Sequence, residues 1–478
     1  MRGLNKWGVL LLLLPVFFPG KAEAGRVVIR CDSAGAYAGR TLHFLTWRDM
    51  ITYREDTLLT VKVRDDGSFE GSFTTDVPLM VFVRPGVYEA WFYAEPGKTY
   101  TIVLPPRKDK SIKDFLNPYF HPVSLQMGIA GAGEDDLNRL IARFEKIYSP
   151  YFYNHARKVY VDKRDTTLKR FIRSVRDTFA GADDPFFRDY MNARLAMLTV
   201  MNMRTRAPVL DEYRDFGKRV LLDNPAYMEL FNQVFNRYFN YLIHHKYHDR
   251  LVSAVRTAAY DSLVQVIKTD LAVDYDDFAD LVTLKGIYDA WYNNTFPHDK
   301  LTALLGRTIS SVKDPDIREV ALDIRYKFTW LQPGTPAPGF TLPATDGRKI
   351  SLSDMAGKYV YLNFSSRISY SSLREFPLLK KLQEKYGDEL KIVTVALEDQ
   401  PEALKAFVRE KGYDWTFLVC GDTCNLPAKY DVRVYPTYYL IGPDGKMVLS
   451  PAPVPTEDFE SRFRKLSGQI RKEGVWMP

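Results

Sequence analysis

Residues 358–377 read KYVYLNFSSRISYSSLREFP, an apolar run that stops at Phe364, then a serine-rich turn, then a helical pattern. KYVYLNF is short and rich in Tyr, Val and Leu, which reads as a strand. SSLREFPLLKKLQEKY carries apolar residues three and four apart, which reads as a helix. The alternation continues downstream. LKIVTVAL and TFLVC read as strands, PEALKAFVREKG as a helix, LPAKY as a short helix, TYYLIGPDGKMVLS as a hairpin, and TEDFESRFRKLSGQIRK as a closing helix. Strands and helices in turn over residues 333–478 imply an α/β layered domain.

Further short pieces recur in a telling order. Pro336-Ala337-Pro338 is followed by Phe340 and Leu342, then Asp346-Gly347, Leu352-Ser353-Asp354 and Gly357-Lys358. Val434-Tyr435-Pro436-Thr437 leads into Tyr438-Tyr439-Leu440-Ile441, and Asp444-Gly445 supplies a tight turn. As an ordered set these resemble the TlpA/ResA-like branch of the thioredoxin superfamily, close to the AhpC/TSA group. The resemblance implies a thioredoxin-like fold, a cis bond at Pro436 and a thiol–disulfide oxidoreductase ancestry. It also implies a Cys-x-x-Cys at the start of the helix after the central strand. A thiolate there is favoured by the helix dipole, and a second thiol three residues on resolves the mixed disulfide.

Those two places hold Ser369 and Ser372, around Tyr370 and Ser371. Serine forms no disulfide, and a helix terminus supplies at most ~2 kcal/mol, too little to ionise an alcohol. A serine nucleophile needs a neighbouring base, yet the last histidine of the chain is His298. Capping the helix is the simpler role for Ser369 or Ser371. Peroxide chemistry fails for the same want of a thiolate, and Ile368 stands where the family often has Trp. What the frame retains is an edge for extended polypeptide, with Tyr370, Tyr435, Pro436 and Thr437 as candidate binding residues.

The chain has three cysteines. Cys31 falls on the apolar face of RVVIRC and reads as a small buried hydrophobe. Cys420 and Cys424 flank Gly-Asp-Thr. They read as a small clasp, as two independent thiols, or as a relocated redox pair with Cys424 the nucleophile; spacing alone does not fix the geometry.

The N-terminus reads as a cleavable secretory signal over residues 1–24, with basic Arg2 and Lys6, an apolar run from Val9 to Phe18, and Ala22-Glu23-Ala24. Its removal takes away three basic residues and one acidic one, lowering the formal net charge from +7 to +5. That balance, without a dense basic block, argues against nucleic acid. Residues 25–106 alternate with period two between turns and read as a β-sandwich-like domain. Residues 107–332 carry helical spacing and read as an all-α region. His244 and His248 stand one helical turn apart, but Lys246 and Tyr247 between them offer no carboxylate, so a solvated helix end is expected rather than a metal site. No cofactor is expected. The chain is thus expected to be exported to the periplasm or envelope of a Gram-negative bacterium, inactive at the usual redox site, and to bind envelope or exported polypeptides. Two alternatives stay open: an oxidoreductase using Cys420 and Cys424, and a glycan- or small-molecule-binding module built on the β domain.

Overall fold

A computed structural model describes residues 24–472, apart from 112–113, 115–116, 118–119, 162–166, 203–217, 246, 398–400 and 422–423. The expected signal segment therefore lies outside the described residues, save Ala24.

The N-terminal part is a sandwich of two sheets. Its strands are β1 (Gly25–Cys31), β2 (Thr41–Trp47), β3 (Glu55–Lys62), β4 (Phe69–Thr75), β5 (Leu79–Val83), β6 (Tyr88–Ala94), β7 (Thr99–Val103), β8 (Val123–Gln126) and β9 (Gly128–Ala130). One sheet has the order β4-β1-β7-β9 and the other β3-β2-β5-β6-β8. Val27, Ile29 and Cys31 point into the core between the sheets, as the alternation in RVVIRC requires. Cys31 is a buried free thiol. Sheet pairing runs past residue 106, the expected end of this domain: β8 lies parallel to β6 and β9 antiparallel to β7. At four and three residues these strands are too short to display an alternation in the sequence.

The helical region follows from Leu137–Ala156 to Pro315–Thr329. Asp136, Asn224 and Asp314 cap helices through their side chains, and Pro225 and Pro315 take the first helical position. The helices share one apolar core with Met50, Ile51 and Tyr93 of the sandwich. Polar clamps fix that contact. Asn138 accepts from Tyr93 N–H (2.7 Å) and donates to Tyr93 C=O (2.8 Å). Buried Asp323 pairs with Arg48 (3.0 Å) and with Arg54.

After Trp330 and Leu331, which pack into the next domain, the linker joins its sheet edge. Gly334 N–H donates to Met447 C=O, Ala337 N–H to Gly445 C=O, and Met447 N–H to Thr335 C=O. A small ladder of β10 (Thr341–Pro343) and β11 (Lys349–Ser351) leads to β12 (Tyr359–Ser365), β13 (Leu390–Leu397), β14 (Thr416–Cys420), β15 (Thr437–Ile441) and β16 (Met447–Ala452). The five-stranded order is β14-β13-β12-β15-β16, with β12, β13 and β14 parallel and β15 and β16 antiparallel. All seven residues of central β12 are buried, as a strand covered on both faces must be. Helices Tyr370–Tyr386, Pro401–Lys411 and Phe459–Lys472 complete the layers.

Candidate functional site

The site forms where β12 ends. Phe364 pairs with Thr437 across the β12–β15 ladder, so the turn leaving β12 and the loop entering β15 lie at the same end of the sheet. The Tyr435–Pro436 bond is cis, and Thr437 Oγ1 donates to Val434 C=O at 2.6 Å.

Ser369 is the N-cap of the Tyr370–Tyr386 helix, its Oγ accepting from Ser372 N–H at 3.4 Å. Ser372 is fully buried, and its Oγ accepts from Ser366 N–H at 3.3 Å. Both hydroxyls therefore serve the local backbone: Ser369 satisfies a donor that the helix start leaves open, and Ser372 holds the turn before it. Beneath them Asn363 donates to Val393 C=O (3.0 Å) and accepts from Ser365 Oγ (2.9 Å). Glu375, also buried, accepts from Thr456 N–H (3.0 Å) and Oγ1 (2.8 Å), which ties the helix to the loop before the last helix. Among the described residues, neither the Ser369 nor the Ser372 hydroxyl bonds a carboxylate or an imidazole.

The surface around this turn mixes exposed apolar side chains with exposed Ser371, Arg374 and Arg433. Among the described residues of 333–472, the exposed large apolar side chains are Ile368, Tyr370, Leu373 and Val434, with Tyr370 76% exposed. All four flank the helix start or the cis proline. Tyr435 is half-buried against the core, and burial pushes its hydroxyl pKa up. Tyr370, Tyr435, Pro436 and Thr437, read from the sequence, are thus gathered on one edge. Sequence reasoning missed Leu373 and Val434: in SSLREFPLL the leucine has the spacing of a core position, and only the packing shows it facing out.

Cys420 and Cys424 are joined as a disulfide. Cys420 ends β14, opposite Leu397, with no exposed surface. Cys424 is part-buried, its N–H donating to Gly421 C=O at 2.9 Å, and the short Leu426–Lys429 helix starts two residues later. The histidines named from the sequence do not converge: Nδ1 of His244 bonds Asn240 C=O (2.7 Å) and that of His248 bonds Ile243 C=O (2.9 Å). His244 lies just past the Tyr238–Ile243 helix, and His248 begins the next.

A mixed sheet of this order, a helix capped at the end of its central strand and a cis proline at the same end of the sheet define a thioredoxin-fold domain. Through residues 333–450 the chain belongs to the AhpC/TSA family. It is 36% identical over 118 residues to the thioredoxin-like protein YneN of Bacillus subtilis, covering 24% of this chain and 68% of that protein. It is 34% identical over 116 residues to the thiol-disulfide oxidoreductase ResA of Bacillus subtilis, covering 24% and 64%. The chain thus spans about two thirds of these relatives' own lengths. Among solved structures, the thioredoxin domain of a thiol-disulfide oxidoreductase from Bacteroides vulgatus is 24% identical, with 28% of this chain and 97% of that chain covered and a TM-score of 0.26. Among the described residues, no helix is long and apolar enough to cross a membrane.

Proposed function

We propose that this is an exported, envelope-located thioredoxin-fold protein that binds polypeptide at the cis-proline edge and performs no thiol exchange at Ser369 and Ser372. The observation that carries this reading is the coincidence of exposed apolar side chains with that edge. A surface kept for solubility alone has no reason to gather Ile368, Tyr370, Leu373 and Val434 around a turn whose Ser369 and Ser372 hydroxyls bond its own backbone. The edge can hold an extended chain through backbone bonds while the apolar ring takes its side chains.

The test is a titration with reduced, carboxymethylated lactalbumin, a permanently unfolded chain without thiols, followed by fluorescence anisotropy. Tyr370→Ala and Tyr435→Ala should each weaken binding about tenfold, roughly 1.4 kcal/mol. Binding that neither change alters would remove the edge from consideration.

One observation favours a second reading, a thiol–disulfide oxidoreductase working through Cys420 and Cys424: the two are bonded. Insulin reduction by the native chain, abolished by Cys424→Ser, would support it; equal background rates would dismiss it.

A further inference from the structure

We propose that the Cys420–Cys424 disulfide is a redox modification site, opened by a dithiol reductant, and that the Tyr435–Pro436 loop responds to its state. This rests on the reading of that loop as part of a polypeptide-binding edge. Three observations lead there.

The bond and the loop share one packed cluster. Cys420 lies in the core formed by Phe364, Val395, Leu418, Leu426 and Tyr430, and Cys424, Val432 and Tyr435 pack against that same core. The segment between them is pinned at its middle. Tyr430 Oη donates to Pro338 C=O at 2.8 Å, Tyr430 C=O accepts from the Tyr439 hydroxyl, and Val432 N–H donates to Pro427 C=O at 2.9 Å. A change at Cys424 therefore has little slack to disappear into.

Access to the two residues differs. Cys420 is fully buried while Cys424 keeps part of its surface in solvent. An incoming thiolate meets Cys424 Sγ. The S–S bond breaks, its electron pair goes to Cys420 Sγ, and that sulfur takes up a proton. The second thiol of the reductant then attacks the mixed disulfide and frees Cys424. The chain gains two thiols and the reductant becomes a disulfide.

The third observation is economy. With three cysteines in the chain and Cys31 buried in the N-terminal sandwich, a disulfide reductant has this one bond to act on. Two thiols cannot sit as close as two bonded sulfurs. In a close-packed cluster the extra room must come from the other members, and Val432 and Tyr435 pack against that same cluster.

The experiment uses the full chain and the same carboxymethylated lactalbumin, which a reductant cannot alter. Dithiothreitol should weaken binding about fivefold. The Cys420→Ser/Cys424→Ser variant should bind like the reduced native chain and ignore the reagent, while Cys31→Ala should respond as the native chain does. Equal binding by oxidised and reduced chains would overturn the inference and leave the binding reading standing. No binding in either state would overturn the binding reading. Amide hydrogen exchange keeps the modification testable in that event: reduction should speed exchange within residues 424–436, and unchanged protection there would defeat it. A dithiol reductase with its resolving cysteine replaced by serine should be trapped on Cys424; trapping on Cys420 would contradict the proposed route.

Discussion

Phe364 and Thr437 stand opposite each other in the β12–β15 ladder, and that register brings the turn carrying the Ser369 cap and the loop carrying Pro436 to the same end of the sheet. If the frame is intact and only the sulfur is missing, restoring it should restore chemistry. Ser369→Cys/Ser372→Cys should reduce insulin at least about tenfold faster than the native chain. The thiol at 369 should titrate below the ordinary value of about 8.5, because it sits at a helix start. An inert double variant would mean that the turn has lost more than its cysteines.

Leu373 and Phe376 are three residues apart on one helix and have opposite duties. Leu373 is exposed, whereas Phe376 is buried among Phe407, Tyr413, Trp415 and Phe417. Leu373→Ala should change unfolding free energy by no more than about 0.5 kcal/mol while weakening polypeptide binding. Phe376→Ala should cost about 3–5 kcal/mol. Urea denaturation of both variants checks the contrast.

Asp323 faces Arg48 and Arg54 from inside the contact between sandwich and helices. Removing the carboxylate takes away the Arg54 partner, while Arg48 keeps Glu319 (3.2 Å) and Asp56 (3.8 Å). As each arginine is a third exposed, solvent screens part of the loss. Asp323→Ala should cost about 2–3 kcal/mol, below the full range for a buried pair. A thermal melt with unchanged midpoint would show that the clamp is idle.

Asp280 is buried in the Asp276–Tyr292 helix and accepts from Tyr260 Oη at 2.5 Å. Burial, followed by the charges of Asp276 and Asp277, pushes its carboxyl up to about 6, against the pull of the Tyr260 bond. The folded chain then holds a proton between about pH 4 and pH 6 that the unfolded chain has released. This group's contribution to stability accordingly falls as pH rises through that window and is flat above it. Asp280→Asn should gain stability relative to the native chain, by about 1–3 kcal/mol, between pH 4 and pH 7. Parallel stability–pH curves for the two chains would contradict the assignment.

The local grammar of the C-terminal domain was legible in the sequence. Spacing located Ser369 and Ser372, the loop around Pro436 stood out, and Asp444-Gly445 marked the turn between β15 and β16. These features depend on neighbours in the chain. What depends on distant partners was not legible. Nothing near Arg48 points to Asp323, and nothing in SSLREFPLL tells Leu373 from a core leucine. The Gly-Asp-Thr spacer allowed a disulfide between Cys420 and Cys424 without requiring one, since bonding depends on how β14 delivers its last residue.

The placement of β8 and β9 has a practical consequence. Each covers the outer side of a strand that would otherwise end its sheet: β6 in one case, β7 in the other. A chain cut at residue 106 would present both as bare rows of N–H and C=O groups, ready to pair with another molecule. Such a fragment should self-associate, whereas one ending beyond residue 130 keeps its two closing strands.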